Sequence, residues 1–514
     1  MSATPQKVVL GVDIGTYEAK GVLVDDDGRV LAQHRRPHSI AVPRPGWVEH
    51  DPERVWWDGF VEVTRSLLAT SGIAAAAVAA VAVSGIGPCV LPVDASGRPL
   101  RNAILYGVDS RAQDQISYLE DVVGAAEILA RCGTVLTSQS AGPKIVWVEQ
   151  NEPDIFARAA RFVTCQTFIT GRLTGQWRID HATAAYFHPF YDRRTGDWIV
   201  EESVTALRRE QLPDLGWSSE VTGMITAQAA ELSGLAAGTP VLVGAPDAPT
   251  EALSAGVVSP GDMMVMYGSS HFIIEVVDRA HQSEQLWPAP FLFPDTHLVA
   301  AGTSTAGSFT RWYANLLAPA EAGSDALYAE LTRAAEQSPP GARGLLALPY
   351  LSGERTPLYD PGARGGFLGL SMQHGRGDLA RAVVEAIAHS VSAALRRFQE
   401  EGLTPHVVRA VGGGTKNPVW TQAVSDISGL PQQIVPGLGA SYGNAMLAGI
   451  TAGFIDGRAE IRRWVTPLRT VAPRPELAEL YRRQRTAFEL FYTSTRPILT
   501  TLEDLGTLTT TETS

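Results

Sequence analysis

Lys7-Val8-Val9-Leu10-Gly11-Val12-Asp13-Ile14-Gly15-Thr16-Tyr17-Glu18-Ala19-Lys20-Gly21-Val22-Leu23-Val24-Asp25 reads as two apolar strands joined by a short turn. Asp26-Asp27-Gly28 is a hairpin signal, and Arg29-Val30-Leu31-Ala32 begins a third strand. This β-turn-β pattern gathers Asp13, Gly15, Thr16 and Lys20 around one tight turn. A Gly-containing turn offers backbone N–H groups and a hydroxyl to a phosphate. A Lys adds positive charge, and a carboxylate holds Mg²⁺, usually through its waters. A plain hairpin with an incidental Lys fits the same spacing.

The pattern returns further on. Residues 262–267 read as a strand, Gly268-Ser269-Ser270 as a turn, and 271–276 as the returning strand. Either hairpin alone is simply a good turn. Together they repeat a candidate phosphate turn on either side of a central carboxylate. That carboxylate is Asp247. It follows the apolar run Pro240-Val241-Leu242-Val243 and Gly244, and small residues come after it. A strand-ending Asp in this setting caps a turn or a helix, or lies on the floor of a cleft.

Working outward, Gly46-Trp47-Val48-Glu49-His50-Asp51-Pro52 is a loop entering a helix, with Asp51 as its N-cap. Trp56, Trp57 and Phe60 follow at helical spacing and are read as core. Residues 79–83 form a buried strand that ends in Ser84-Gly85-Ile86-Gly87-Pro88-Cys89. An apolar strand from Ile104 runs into Asp109 and Arg111, which either grip hydroxyls from two sides or form a surface ion pair. Helices are expected over 111–130, 141–151 (carrying Lys144 and Trp147), 162–173 and 378–399, and 221–238 reads as a connecting region. The strand 407–411 ends in Gly412-Gly413-Gly414-Thr415-Lys416-Asn417-Pro418, where three glycines let another group approach the backbone. This is neither a Walker loop nor a dinucleotide fingerprint. The Thr-rich stretch 501–514 is expected to be disordered.

At 514 residues the chain is too long for one ordinary core, so at least two domains are expected. A formal net charge of -12 argues against a general nucleic-acid or anionic-membrane surface. Three cysteines, Cys89, Cys132 and Cys165, give no disulfide framework or structural zinc site, which suits a reducing cytoplasm. No signal-peptide pattern is found, and the most apolar run, 72–83, is too short to span a bilayer.

Taken in order, these motifs resemble those of the FGGY family of carbohydrate kinases, and of its xylulokinase-like members most closely, over about residues 7–492. The resemblance is carried by Val12-Asp13-Ile14-Gly15-Thr16 with Lys20, Gly46-Trp47-Val48-Glu49 with Asp51-Pro52, Asp109 with Arg111, Asp247, Tyr267-Gly268-Ser269, Glu354-Arg355-Thr356-Pro357, and Gly412-Gly413-Gly414 with Asn417. It implies an α/β fold of two ribonuclease-H-like domains around a central cleft, as in actin, hexokinase and the heat-shock chaperones. The expected division is an N-terminal domain over 1–246 on the sugar and Mg/phosphate side, a C-terminal domain over 247–460 on the adenosine side, and a helical segment over 461–500. By resemblance Asp247 is the general base and Asp13 the Mg²⁺ ligand. Thr16 and Lys20 face the γ-phosphate, while Gly268, Ser269 and Gly307 approach the phosphates. Gly413, Gly414 and Asn417 match the adenosine segment. Gly87, Pro88, Asp109 and Arg111 fall on the sugar side. ATP and Mg²⁺ are the implied cofactors and a small sugar or polyol the partner, with no nucleic acid and no membrane. A homodimer rests on the family alone.

Two departures bear on substrate. Ile86-Gly87-Pro88 stands where xylulokinases carry Gln-Met-His and glycerol kinases an Arg-Glu pair. Ala248 stands where glycerol kinases have Gln. The expected activity is therefore ATP-dependent phosphorylation of a pentulose such as D-xylulose or a relative, and glycerol is disfavoured. A kinase for a tetritol or other polyol is one alternative. A kinase-like regulator that binds nucleotide or sugar without transfer is the other.

Overall fold

The structure, a computed structural model, describes residues 7–321 and 323–511. The opening hairpin forms as read: β1 (Val8–Ile14), β2 (Glu18–Val24) and β3 (Val30–Pro37). Every residue of β1 is buried, as expected of a central strand covered on both faces. β4 (Val78–Gly85), β5 (Val221–Met224), β6 (Pro240–Leu242) and β7 (Ala245–Pro246) complete the sheet in the order β5-β6-β4-β1-β2-β3, with β7 also pairing β4. β4 runs parallel to β1 with Ser84 opposite Asp13, and β7 runs parallel to β4 with Ala245 opposite Ser84. Asp13, Ser84 and Ala245 thus share one row at the carboxyl ends of adjacent strands. Asp247 follows two residues later as the first residue of the helix Asp247–Ser254. Carboxyl ends of parallel strands are where open α/β sheets take ligands.

The second sheet repeats this plan. β8 (Asp262–Tyr267), β9 (His271–Val277), β10 (Trp287–Pro290), β11 (His297–Gly302), β12 (Val407–Val411), β13 (Gln432–Ile434) and β14 (Arg469–Val471) run in the order β10-β11-β9-β8-β12-β13-β14. β9 is antiparallel to β8, β12 parallel to β8, β13 parallel to β12, and β14 antiparallel to β13. In the first sheet β2, β4, β6 and β5 stand in those same relations. The weak sequence repetition is therefore a duplicated topology, and the α/β class with two ribonuclease-H-like domains holds.

Two compact units result. One comprises 1–260, 276–299 and 438–465; the other comprises 261–275, 300–437 and the chain from 466. This differs from a linear cut at 246/247, because the helix Ala440–Thr451 packs on β1 of the first sheet. Its approach is close enough to dictate glycine. A Cβ on Gly11 would lie 1.9 Å from the Ser441 carbonyl oxygen, and one on Gly443 would lie 1.9 Å from that of Thr250. Trp56, Trp57 and Phe60 are buried as read, Phe60 alone contributing roughly 1.5–3 kcal/mol by leaving water.

Other readings need correction. Residues 221–224 form the edge strand β5 rather than a plain connection. The stretch read as a helix over 162–173 begins as the strand Arg161–Val163, and its helix spans Cys165–Thr174. The last helix, Ala478–Thr511, continues through most of the tail expected to be disordered, since extending a helix is far easier than starting one. Residues 512–514 lie outside those described. Among the described residues no helix is long and apolar enough to cross a membrane.

Candidate active site

At the end of β1, Asp13 is only 7% exposed. Its Oδ1 accepts a hydrogen bond from Ser84 Oγ at 2.6 Å. Burial raises its pKa, partly opposed by the Ser84 hydrogen bond and by Lys20. Asp247 is half-buried, and its Oδ1 accepts from the backbone N–H of Ala248 at 2.8 Å. Its pKa is also raised, first by desolvation, then by the negative charge of Asp13, and further by Glu251. Glu251 stands one helical turn beyond Asp247, and burial pushes it up to about 6. The sequence reading passed over Glu251, although its i,i+4 spacing from Asp247 was the available signal. Two carboxylates that resist ionising together are a site waiting for a cation or a proton.

The Gly15-Thr16 turn is braced from behind. Gly15 N–H donates to Glu18 O at 2.9 Å. His38 Nε2 lies 3.0 Å from Gly15 O, and His50 Nε2 lies 3.1 Å from Thr16 O. Thr16 Oγ1 and the Tyr106 hydroxyl are 3.1 Å apart. Lys20 stands on β2 directly opposite Asp13, and its ammonium pairs with Glu18 at 2.8 Å. The structure thus brings Asp13, Thr16, Lys20 and Asp247 into one unit, together with Ser84, Tyr106 and Glu251.

The sugar-side residues fare differently. The side chains of Asp109 and Arg111 have no exposed surface. Arg111 donates to Asp109 (2.7 Å) and to Glu49 (2.9 Å), with its guanidinium 4.2 Å from the Trp47 ring centroid and 5.1 Å from that of Trp147. Asp109 also accepts from Val48 N–H at 2.6 Å. The pair is neither a surface ion pair nor an open clamp. It fastens the Trp47–Glu49 loop to the 109–111 turn, and such a buried pair is costly to break on one side only. Lys144 is buried beside it. Its ammonium donates to the carbonyls of Tyr106 (3.2 Å) and Ser138, and desolvation lowers its pKa to about 8. Gly87 is next to the floor, since a Cβ there would be 3.6 Å from Pro246 Cβ. Pro88 is buried. Cys89 is a buried apolar residue, as read, with burial pushing its thiol up to about 12.

In the other unit, Gly268, Ser269 and Gly307 meet. Gly307 N–H donates to Gly268 O at 3.0 Å, while Ala306 and Ser308 N–H donate to Ser269 O at 2.8 and 3.1 Å. The turn therefore seats on the N-terminus of the helix Gly307–Leu317 and takes up its first backbone N–H groups. A Cβ on Gly307 would fall 2.6 Å from Gly268 O. Gly412 has φ +97°, which carries the chain past Tyr267, and Gly413 faces open space. Gly414 lies against Trp420. Asn417 caps the helix Pro418–Ser428 by accepting from Val419 and Trp420 N–H at 3.0 and 3.1 Å, so its side-chain oxygen already has a structural task. Glu354 accepts from Ser304 and Arg355 N–H and from the Ser390 hydroxyl, tying its loop to β11's end and the helix Arg376–Glu400.

Among the described residues no three His, Cys, Asp or Glu side chains converge with metal-ligand geometry. The one free carboxylate oxygen of Asp13 is a donor of the kind that suits a hydrated Mg²⁺ held through its waters.

Residues 8–254 match the N-terminal domain of the FGGY family of carbohydrate kinases, and residues 263–452 match its C-terminal domain. The chain is 29% identical over 505 residues to the xylulose kinase of Escherichia coli (strain K12), covering 95% of this chain and 99% of that one. It is 26% identical over 430 residues to the gluconokinase of Bacillus subtilis (strain 168), covering 82% of each. The crystal structure of xylulose kinase from Rhodospirillum rubrum superposes with a TM-score of 0.88 at 32% identity, covering 96% of this chain and 100% of that one.

Proposed function

Since this chain belongs to the FGGY family of carbohydrate kinases, we propose that it transfers the γ-phosphoryl group of ATP to a hydroxyl of a pentulose, D-xylulose or a close relative, with Asp247 as general base. The observation that carries this is the placing of Asp13 and Asp247 at the carboxyl ends of the two strands that flank β4, where the negative charge of Asp13 raises the cost of ionising Asp247.

Asp247 accepts the proton of the attacking hydroxyl, and its place at the start of a helix fixes that carboxylate on a rigid element. Asp13 would hold Mg²⁺ through its waters, and the bound ion would supply charge neutralisation at the phosphates. Once the charge of Asp13 is neutralised, Asp247 ionises more easily and is ready as a base. Thr16 offers its hydroxyl and Lys20 its charge to the transferred group. The Gly268–Ser269 turn, held on the start of the Gly307 helix, would face the phosphates, and Gly413, beside Gly414 and the Asn417 cap, leaves an open backbone face for adenosine. Arg111 and Asp109 act on the sugar from behind, by holding the Trp47 loop, and Gly87-Pro88 contributes a wall without polar side chains.

The test is ADP release with ATP and Mg²⁺ across pentuloses, pentitols, tetritols, gluconate and glycerol, each against a no-sugar control. A pentulose should give the highest kcat/KM. Asp247→Ala should lower kcat by ~10²–10⁴-fold, the usual span for losing a general base, with ATP affinity unchanged by calorimetry. ATP binding without stimulation by any compound would favour a regulator over an enzyme.

A further inference from the structure

We propose that Asn444 is a positioning residue for phosphoryl transfer: acting through Ser84, it fixes the Asp13 carboxylate so that one oxygen stays turned toward the metal–nucleotide. This rests on the reading of Asp13 given above. Asn444 Nδ2 donates to Val12 O at 2.8 Å and to Ser84 Oγ at 2.7 Å. Ser84 Oγ in turn lies 2.6 Å from Asp13 Oδ1.

The direction of this chain of bonds is forced. Val12 O only accepts, so the amide nitrogen of Asn444 must face it, and both Nδ2 hydrogens are then committed. Ser84 has a single hydroxyl proton. Because its oxygen receives a hydrogen from Asn444, that proton is free to go to Asp13 alone. Asp13 Oδ1 is thereby occupied, and Oδ2 is the oxygen left to face a ligand. Asn444 and Ser84 have no exposed surface, and Asn444 Oδ1 is buried without a partner. A buried amide with an unsatisfied oxygen is a poor choice for stability alone, where an apolar side chain would avoid the cost. Its compensation is a carboxylate held in one rotamer. Asn444 reaches this position because Gly11 and Gly443 let its helix settle directly on β1 and on the helix that begins with Asp247.

The experiment compares wild type with Asn444→Ala, Ser84→Ala, the double variant and Asp13→Asn. Two readouts are taken: Mn²⁺–ATP binding by electron paramagnetic resonance without sugar, and the Mg²⁺ concentration for half-maximal rate. Groups that orient a metal ligand typically change metal affinity ~10–100-fold when removed. Asn444→Ala and Ser84→Ala should each weaken Mn²⁺–ATP binding about tenfold or more on that basis, with sugar KM unchanged. The double variant should be no worse than Ser84→Ala, because both act along one chain. Unchanged Mn²⁺–ATP binding in Ser84→Ala overturns the proposal, even if Asn444→Ala fails to fold. Unchanged binding in Asp13→Asn overturns instead the assignment of Asp13 on which it rests.

Discussion

Trp56 donates its indole N–H to Nδ1 of His50 at 3.1 Å, and this decides how His50 meets the candidate phosphate turn. An indole only donates, so Nδ1 must be the bare nitrogen and Nε2 must carry the proton that reaches Thr16 O. Turn and core are therefore joined through one neutral histidine tautomer.

That tautomer gives a pH dependence. Burial, with the neighbouring His38, lowers His50 from 6.5 to about 4. Between those values the unfolded chain binds a proton that the folded one does not, so the stabilisation is present above pH 6.5 and lost as pH falls toward 4. Asp13, Asp180 and Asp247, with raised pKa, act in the opposite direction in overlapping ranges. The measurement is thus a difference. The gap in melting temperature between wild type and His50→Gln should be largest at neutral pH and close on acidification; a constant gap would refute the tautomer argument.

Glu251 adds negative charge near Asp247. Glu251→Gln should therefore lower the pKa of Asp247 and move the acid limb of the kcat/KM profile to lower pH while activity is retained. A profile unmoved in this variant would show that Glu251 does not sense the base.

Gly443→Ala places a methyl 1.9 Å from Thr250 O, and backbone cannot yield as a side-chain tip would. Overpacking of this kind costs ~1–3 kcal/mol or more. Gly11→Ala meets the other side of the same helix at Ser441 O and should cost about as much. Urea midpoints at fixed m-value would report it. A wild-type midpoint in both variants would mean that the helix does not lie where it is seen.

Both hairpins and the strand before Asp247 were legible, because apolar runs punctuated by Gly turns are local signals. So was the helix expected over 378–399, which spans Arg376–Glu400 and buries Val384, Ile387, Val391, Leu395 and Phe398 along one stripe. What could not be read was long-range. Asn444 sat in an unremarkable run of small residues, and nothing local ties it to Asp13. Asp109 and Arg111 were found by spacing, but their enclosure by Trp47 and Trp147 depends on three separate segments meeting. The strand β5 hid in turn-rich sequence because its partner, β6, supplies the pairing.

The return of residues 438–465 to the first unit has a consequence for the order of synthesis. A ribosome that has delivered residues 1–260 has made every strand of the first sheet and both carboxylates, yet the helix that closes over β1 is still unmade. The nascent first unit must wait, with the Gly11 face of β1 uncovered, while the whole segment 300–437 emerges. Vectorial folding from the N-terminus, the habit of simple domain strings, is therefore closed to this chain. Expressed alone, residues 1–260 should display an apolar surface that chaperones hold, and should regain order when the unit's remaining segments, 276–299 and 438–465, are supplied in trans.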